Sequence, residues 1–358
     1  MRLVVLGLSL SSSWGNGHAT TWRALLKAFH ARGHDVLFLE RDVPWYAGNR
    51  DLTDPDWCRI AFYRDLAELK HWTGEIERAD AVIVGSYVPD GVAVGAWVQR
   101  TATGVTAFYD IDTPVTLAKL ARGDHEYLSP ELVPAYDVYL SFTGGPTLRH
   151  LEEQHGAPAA RALYCSVDPA DYRPTTTARR WDLSYLGTYS DDRQPALERL
   201  LIAPARRTPD KRFVVAGPQY PATIDWPANV ERIEHLPPSD HAAFYSASRW
   251  TLNVTRADMI ARGWSPSVRL FEAAACATPI VSDRWDGLDR LFAPDREIVL
   301  ADTTDQVLAA LNRADAPGIG RAGQARVLAE HTAAHRAAEL EGYLREAATG
   351  RHALRGAA

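Results

Sequence analysis

Between residues 263 and 283 the chain reads Gly-Trp-Ser-Pro-Ser-Val-Arg-Leu-Phe-Glu-Ala-Ala-Ala-Cys-Ala-Thr-Pro-Ile-Val-Ser-Asp, a loop, a helix and a strand. Ser265 and Ser267 bracket a proline ahead of Val268, Phe271 and Ala275 at helical spacing, which predicts a helix opening near Val268 with one of the serines as its N-cap. The free N–H groups of the first turn, the positive end of the helix dipole, two hydroxyls and Arg269 suit a phosphate there. Glu272, just past that turn, suits sugar hydroxyls. The plainer reading is a buried helix on which Arg269 and Glu272 form an i,i+3 pair.

Four further stretches place reactive groups where an apolar strand ends. Trp14-Gly-Asn-Gly-His18 opens a helix, and its imidazole, with an ordinary pKa near 6.5, suits a general base for a hydroxyl; helix capping is the alternative for a lone histidine. Tyr109-Asp110-Ile111-Asp112-Thr113-Pro114 offers two carboxylates to a metal or a base, although Asp112 or Thr113 before a proline also suits a helix cap. In Gly187-Thr188-Tyr189-Ser190-Asp191-Asp192-Arg193, a glycine turn with a hydroxyl and a cation six positions on suits a diphosphate. Ala216-Gly217-Pro218 would let a ligand approach the backbone closely, or simply turn the chain.

The elements that must position these residues alternate. Apolar strands are predicted at 3–10, 35–40, 81–85, 105–109 and 138–142, with helices such as 20–31, 92–100 and 147–154 between them. A polar, proline-bearing stretch, 168–180, separates them from a second series with strands at 183–186, 213–216, 250–254, 279–282 and 297–300. Helix formers then fill 320–345. Such alternation predicts two parallel sheets covered on both faces, with ligands at the carboxyl ends of the strands.

At 358 residues, 46% hydrophobic and 23% charged, the composition is that of an ordinary globular chain of about two domains. A net charge of −6 gives no basic field for nucleic acid or an anionic membrane. Cys58, Cys165 and Cys276 are too scattered for a disulfide framework or zinc spacing, which points to a reducing cytoplasm. No apolar run reaches the roughly 20 residues that span a bilayer.

Taken together, Asp110-Ile-Asp-Thr-Pro114, Ser141-Phe-Thr-Gly-Gly-Pro146, Tyr185-Leu-Gly-Thr-Tyr-Ser190, Asn253-Val-Thr-Arg-Ala-Asp-Met259 and Ser265-Pro-Ser-Val-Arg-Leu-Phe-Glu-Ala-Ala-Ala-Cys276 resemble the GT-B glycosyltransferases. Within them they resemble the CgeB-like, spore-maturation branch of the group 1 enzymes, over roughly residues 105–345. The resemblance implies an α/β fold of two Rossmann-like domains facing a central cleft. An acceptor domain at 1–170, a linker at 171–180 and a nucleotide-sugar donor domain at 181–330 are expected, with 331–358 packing back on the first domain.

The same resemblance implies a glycosyltransferase that uses a UDP or TDP sugar and needs no cofactor or metal, with a small-molecule or glycan acceptor. By position it gives donor binding to Gly187, Arg193 and Glu272, the last matching the second glutamate of a Glu-x7-Glu motif that binds ribose; Thr188, Gly217, Ser265, Ser267 and Arg269 join the expected donor site from the turns and the helix start that bear them. The family's arginine after the glycine is Thr188 here, and its first glutamate is Trp264. That first glutamate contacts the sugar in retaining enzymes, whereas a Gly-His turn supplies the base in many inverting ones, so His18, oriented by Asp110, is the candidate base. A nucleotide-sugar epimerase of the same fold and a non-catalytic carbohydrate-binding or spore-surface assembly protein are the alternatives.

Overall fold

The structure, a computed structural model, describes residues 1–14 and 17–356, with side chains through Arg351. It divides into two α/β units, Met1–Cys165 with Ala333–Ala358, and Ser166–Thr332.

The first unit is built on seven parallel strands: β1 (Arg2–Gly7), β2 (Asp35–Arg41), β3 (Arg59–Tyr63), β4 (Ala81–Gly85), β5 (Val105–Asp110), β6 (Val138–Ser141) and β7 (Ala160–Ala162). Their order is β3-β2-β1-β4-β5-β6-β7. The run Leu3-Val-Val-Leu is buried, as a strand covered on both faces requires. Trp22 and Phe29 of the Gly17–His30 helix are also fully buried. Because the order reverses between β1 and β4, the loops after those two strands diverge and leave a crevice at their carboxyl ends.

The second unit repeats the plan with six parallel strands: β8 (Trp181–Leu186), β9 (Phe213–Ala216), β10 (Val230–Ile233), β11 (Ser248–Asn253), β12 (Ile280–Ser282) and β13 (Val299–Leu300). They run in the order β10-β9-β8-β11-β12-β13, so the switch lies between β8 and β11. The Val268–Ala275 helix feeds β12, and every residue from Arg269 to Ala275 in it is buried.

Three short strands, β3, β7 and β10, escaped the sequence reading because each is brief and carries charged residues. The single helix expected over 320–345 is two, Ala316–Glu330 and Ala333–Gly356, broken at His331-Thr332, where Thr332 bridges Val167. The second of these belongs to the first unit: Arg32 and His34 meet Glu341, and Tyr343 donates to the Ala162 carbonyl at 3.2 Å. The expected linker at 171–180 lies within the second unit instead. Tyr172 is buried with its hydroxyl 3.3 Å from His241 Nδ1, and the Thr175 N–H donates to Ser246 Oγ at 3.0 Å, so this polar stretch is fastened down.

Candidate functional site

In the second unit the turn after β8 and the turn after β9 are pressed together. The Gly187 N–H donates to the Ala216 carbonyl at 2.9 Å, and the Tyr189 N–H donates to Pro218 at 3.0 Å. Gly217 has φ 138, and a Cβ there would stand 2.2 Å from the Gly187 carbonyl oxygen. A Cβ at Gly187 would in turn lie 2.9 Å from the Arg269 guanidinium. Gly217 therefore needs glycine, for its dihedral and for the close approach of the Gly187 backbone, while a Cβ at Gly187 would have to displace the ends of the Tyr185 and Arg269 side chains.

Three guanidiniums gather on these turns. Arg193 Nη2 donates to the Thr188 carbonyl at 2.7 Å, and its Nε is buried with no hydrogen-bond partner among the described residues. Arg269, 9% exposed, donates through Nε to the Leu186 carbonyl and through Nη1 to Asn253 Oδ1 at 3.0 Å. Arg232, on β10, donates to the Gly217 carbonyl at 3.0 Å and lies 4.2 Å from the Tyr220 ring centroid. The Tyr220 hydroxyl donates to the Gly187 carbonyl at 3.0 Å. Burial pushes the Tyr220 phenol well up, and the charges of Arg193, Arg232 and Arg269 all reach it in the opposite sense. None of the three arginines forms an ion pair with a carboxylate among the described residues, so their charge is left for an anion.

The Val268–Ala275 helix starts where expected and Ser267 occupies its N-cap, but the serine does not cap it: its hydroxyl donates to Asn253 Oδ1 at 2.8 Å. Ser265 is buried just ahead. Arg269 does not pair with Glu272; it turns toward the ends of β8 and β11. Glu272 departs further from expectation, because its carboxylate is 3% exposed and faces inward. It accepts from the Tyr245 hydroxyl at 3.2 Å and lies 3.8 Å from His241 Nδ1. Burial raises the Glu272 pKa, but hydrogen bonds from His241, Tyr172 and Tyr245 outweigh it and hold the carboxyl below its ordinary value. A carboxylate so used ties the Val268–Ala275 helix to Tyr245 and His241. Trp264, where the family has its first glutamate, has φ 51 and lays its indole against Gly287.

In the first unit His18 lies in the first turn of the Gly17–His30 helix; Gly15 and Asn16 of its turn lie outside the described residues. Its ring meets Tyr87, in the loop after β4, edge to face at 5.2 Å, and the Tyr87 hydroxyl donates to Asp112 Oδ2 at 3.0 Å. Tyr87 holds φ 63, a left-handed conformation costly for an aromatic residue, at the switch point of the sheet. Desolvation pulls the His18 pKa down to about 4, so the ring is neutral at neutral pH.

Asp110, expected to orient His18, is fully buried and spends its carboxylate elsewhere. It accepts from Tyr139 at 2.5 Å, from Thr116 at 2.7 Å and from the Asp112 N–H at 3.2 Å. Burial lifts its pKa to about 6 against those bonds. Asp112 sits at the N-cap of the Thr113–Ala121 helix without capping it; through Tyr87 it is the carboxylate linked to His18.

Sequence reasoning missed Glu40 at the end of β2. Fully buried, it accepts from Ser9 Oγ at 3.0 Å, the Leu10 N–H at 2.7 Å, the Ser11 N–H at 2.9 Å and Ser11 Oγ at 2.6 Å. It thereby fixes residues 9–11, just after β1. Glu40→Ala orphans these donors in a dry interior, at about 1–3 kcal/mol each before relaxation, so stability in urea falls by about 3 kcal/mol or more. A loss below about 1 kcal/mol would mean the loop finds other acceptors.

Residues 193–342 match the family described as glycosyl transferase-like. No curated protein matches the sequence. Among solved structures, the chain is similar to sucrose-phosphate synthase from Thermosynechococcus elongatus, at 15% identity and TM-score 0.72 over 97% of this chain and 99% of that one. Anabaena HepE, solved with UDP and glucose, superposes with TM-score 0.70 at 11% identity, over 97% of this chain and all of its own. An alpha-glucosyltransferase in complex with UDP and a 13-mer DNA gives 0.69 at 13% identity, over 96% and 99%. The chain therefore has the GT-B fold of two parallel-sheet α/β units, and its residues 193–342 carry the glycosyl transferase-like sequence pattern.

Proposed function

We propose that this chain moves a sugar from a nucleoside-diphosphate sugar to an acceptor hydroxyl, without a metal and with inversion at the anomeric carbon. The observation that carries the reading is the group of three guanidiniums, Arg193, Arg232 and Arg269, held on the Gly187 and Gly217 turns without a carboxylate partner. A diphosphate supplies the missing negative charge in the ground state and more of it as the anomeric C–O bond breaks, which is when fixed cations lower the barrier. Gly187, Thr188 and Gly217 bring backbone close to it, with Ser265 and Ser267 at the neighbouring helix start. Glu272, tied to Tyr245 and beside His241, acts as a positioning residue for that helix.

His18 then takes the proton of the acceptor hydroxyl as that oxygen bonds to the anomeric carbon. Asp112, through Tyr87, holds the ring. Metal independence rests on the arginines and on Asp110, whose carboxylate is committed to Tyr139 and Thr116. UDP, bound in the HepE and alpha-glucosyltransferase structures, is the first nucleotide to test, with TDP next. A net charge of −6 favours a small-molecule or glycan acceptor over DNA. Trp14 and Trp45, 52% and 57% exposed, offer rings on which a saccharide can stack. The assignment to the CgeB-like branch and to the cytoplasm belongs to the same proposal; Cys58, Cys165 and Cys276 are buried and form no disulfide among the described residues, and no described helix is long and apolar enough to cross a membrane.

The test is a screen of nucleotide sugars for binding and for release of nucleoside diphosphate with an acceptor panel. Binding of a nucleoside diphosphate at micromolar concentration is expected, and the transfer rate should be unchanged by a chelator. Loss of transfer in chelator, restored by magnesium or manganese, would overturn metal independence; failure of every nucleoside diphosphate to bind would overturn the donor site.

A further inference from the structure

At the opposite end of the second unit's sheet, where β8, β9 and β11 begin, lies an open cavity of about 350 Å³ walled by Arg179, Arg180, Arg212, Arg249 and Arg313. Two of these have partners: Arg180 meets Glu231 at 3.4 Å, and Arg313 meets Asp295 at 3.1 Å and Asp315 at 2.8 Å. Arg179, Arg212 and Arg249 have no carboxylate within ion-pair distance among the described residues. Arg179 donates to the Ser248 carbonyl and Arg249 to the Arg313 carbonyl at 3.3 Å, so their described bonds go to backbone oxygens. The one acidic residue in the wall, Asp182, turns its carboxylate to the Arg212 N–H at 3.0 Å.

Burial and the neighbouring Arg249 charge hold the Arg179 guanidinium below its ordinary pKa, a sign that the two cations feel one another. The Ala316–Glu330 helix also begins here: Ala316 and Pro317 line the cavity, and the N-cap residue, Asp315, pairs with Arg313 instead of capping. Its positive dipole end thus adds to the arginines. Arg179 and Arg212 are exposed and Arg249 is half-buried, so water screens part of their repulsion, yet in a chain with 45 acidic against 39 basic residues three guanidiniums on one concave wall without carboxylates leave a local positive field that an anion can occupy.

We propose that this cavity binds a small, multiply charged phosphate anion, at a site separate from the donor turns at the other end of the sheet. Guanidinium forks match phosphate oxygens two at a time, and the concave wall admits a small anion. Occupancy stabilises the second unit through the binding free energy itself.

The probe is inorganic pyrophosphate, titrated calorimetrically into the full chain carrying Arg193→Ala, which weakens the donor site, and into the same chain carrying Arg179→Gln and Arg249→Gln as well. Affinity should fall about tenfold or more for each guanidinium removed. Without anion the added substitutions should leave Tm unchanged or raise it, whereas a merely structural role for the two arginines would lower it with or without anion. Should that variant fail to fold, Arg179→Lys with Arg249→Lys keeps the charge, removes the forks and should still lose affinity about tenfold. An unchanged dissociation constant in either variant overturns the proposal, as does a response matched by chloride at equal ionic strength. Binding of DNA or anionic vesicles without binding of pyrophosphate overturns the small-anion assignment.

Discussion

His18→Ala should lower turnover by about 10²–10⁴ while leaving nucleoside-diphosphate affinity nearly unchanged, the signature of a lost general base. The site predicts a second, independent mark of this role. Because desolvation holds His18 at a pKa of about 4 rather than 6.5, the ring stays neutral and able to accept a proton well below pH 6. The acidic limb of kcat/KM should therefore fall near pH 4. Asp110, lifted to about 6, gives the contrasting outcome: a limb near 6 that moves on Asp110→Asn would make that carboxylate the titrating group. The depressed pKa also links to stability. Below about pH 6.5 the unfolded chain protonates this histidine and the folded chain does not, so its contribution to stability is present above that pH and is lost as pH falls toward 4. His18→Ala should remove that loss. Near-normal turnover in the variant, or a product with the donor's anomeric configuration, would end the inverting assignment and send attention to the loop around Trp264.

Arg193→Ala should weaken nucleoside-diphosphate binding by about 1.5–3 kcal/mol, roughly 10- to 150-fold, read by calorimetry. Of the three arginines it is the cleanest to test. Arg269 is 9% exposed and ties Leu186 to Asn253, and Arg232 ties β9 to β10, so alanine at either position also disturbs the scaffold. Arg193 makes one described side-chain hydrogen bond, to the Thr188 carbonyl at 2.7 Å, and its buried Nε lacks a described partner. Its loss should spare the urea midpoint while reducing affinity. Unchanged affinity, or a bound diphosphate located in the first unit, would sink the donor assignment.

The layered α/β architecture was legible in the residue pattern, because a strand covered on both faces must be apolar throughout and must end where Gly, Ser and Asp let the chain turn. The strands at 105–109, 183–186 and Phe213–Ala216 were legible for that reason, and with them Asp110, which closes β5, and the turns bearing Gly187, Arg193 and Gly217. What those side chains do once the turn is made depends on neighbours far away in sequence, which packing alone brings together. Glu272 has the spacing of a ligand-binding residue, yet Tyr172 and Tyr245 draw it inward. Asp110 is claimed by Tyr139 from the adjacent strand. Arg232 joins the donor cations from a four-residue strand, Val-Glu-Arg-Ile, whose alternating charges hid it, and it arrives beside Gly217 because β10 pairs in parallel with β9. Glu40 looked like an ordinary strand end until Ser9, Leu10 and Ser11 folded over it. Burial is a property of the assembled layers, and in a dry interior each charge is assigned by whichever donor or acceptor packing brings within reach.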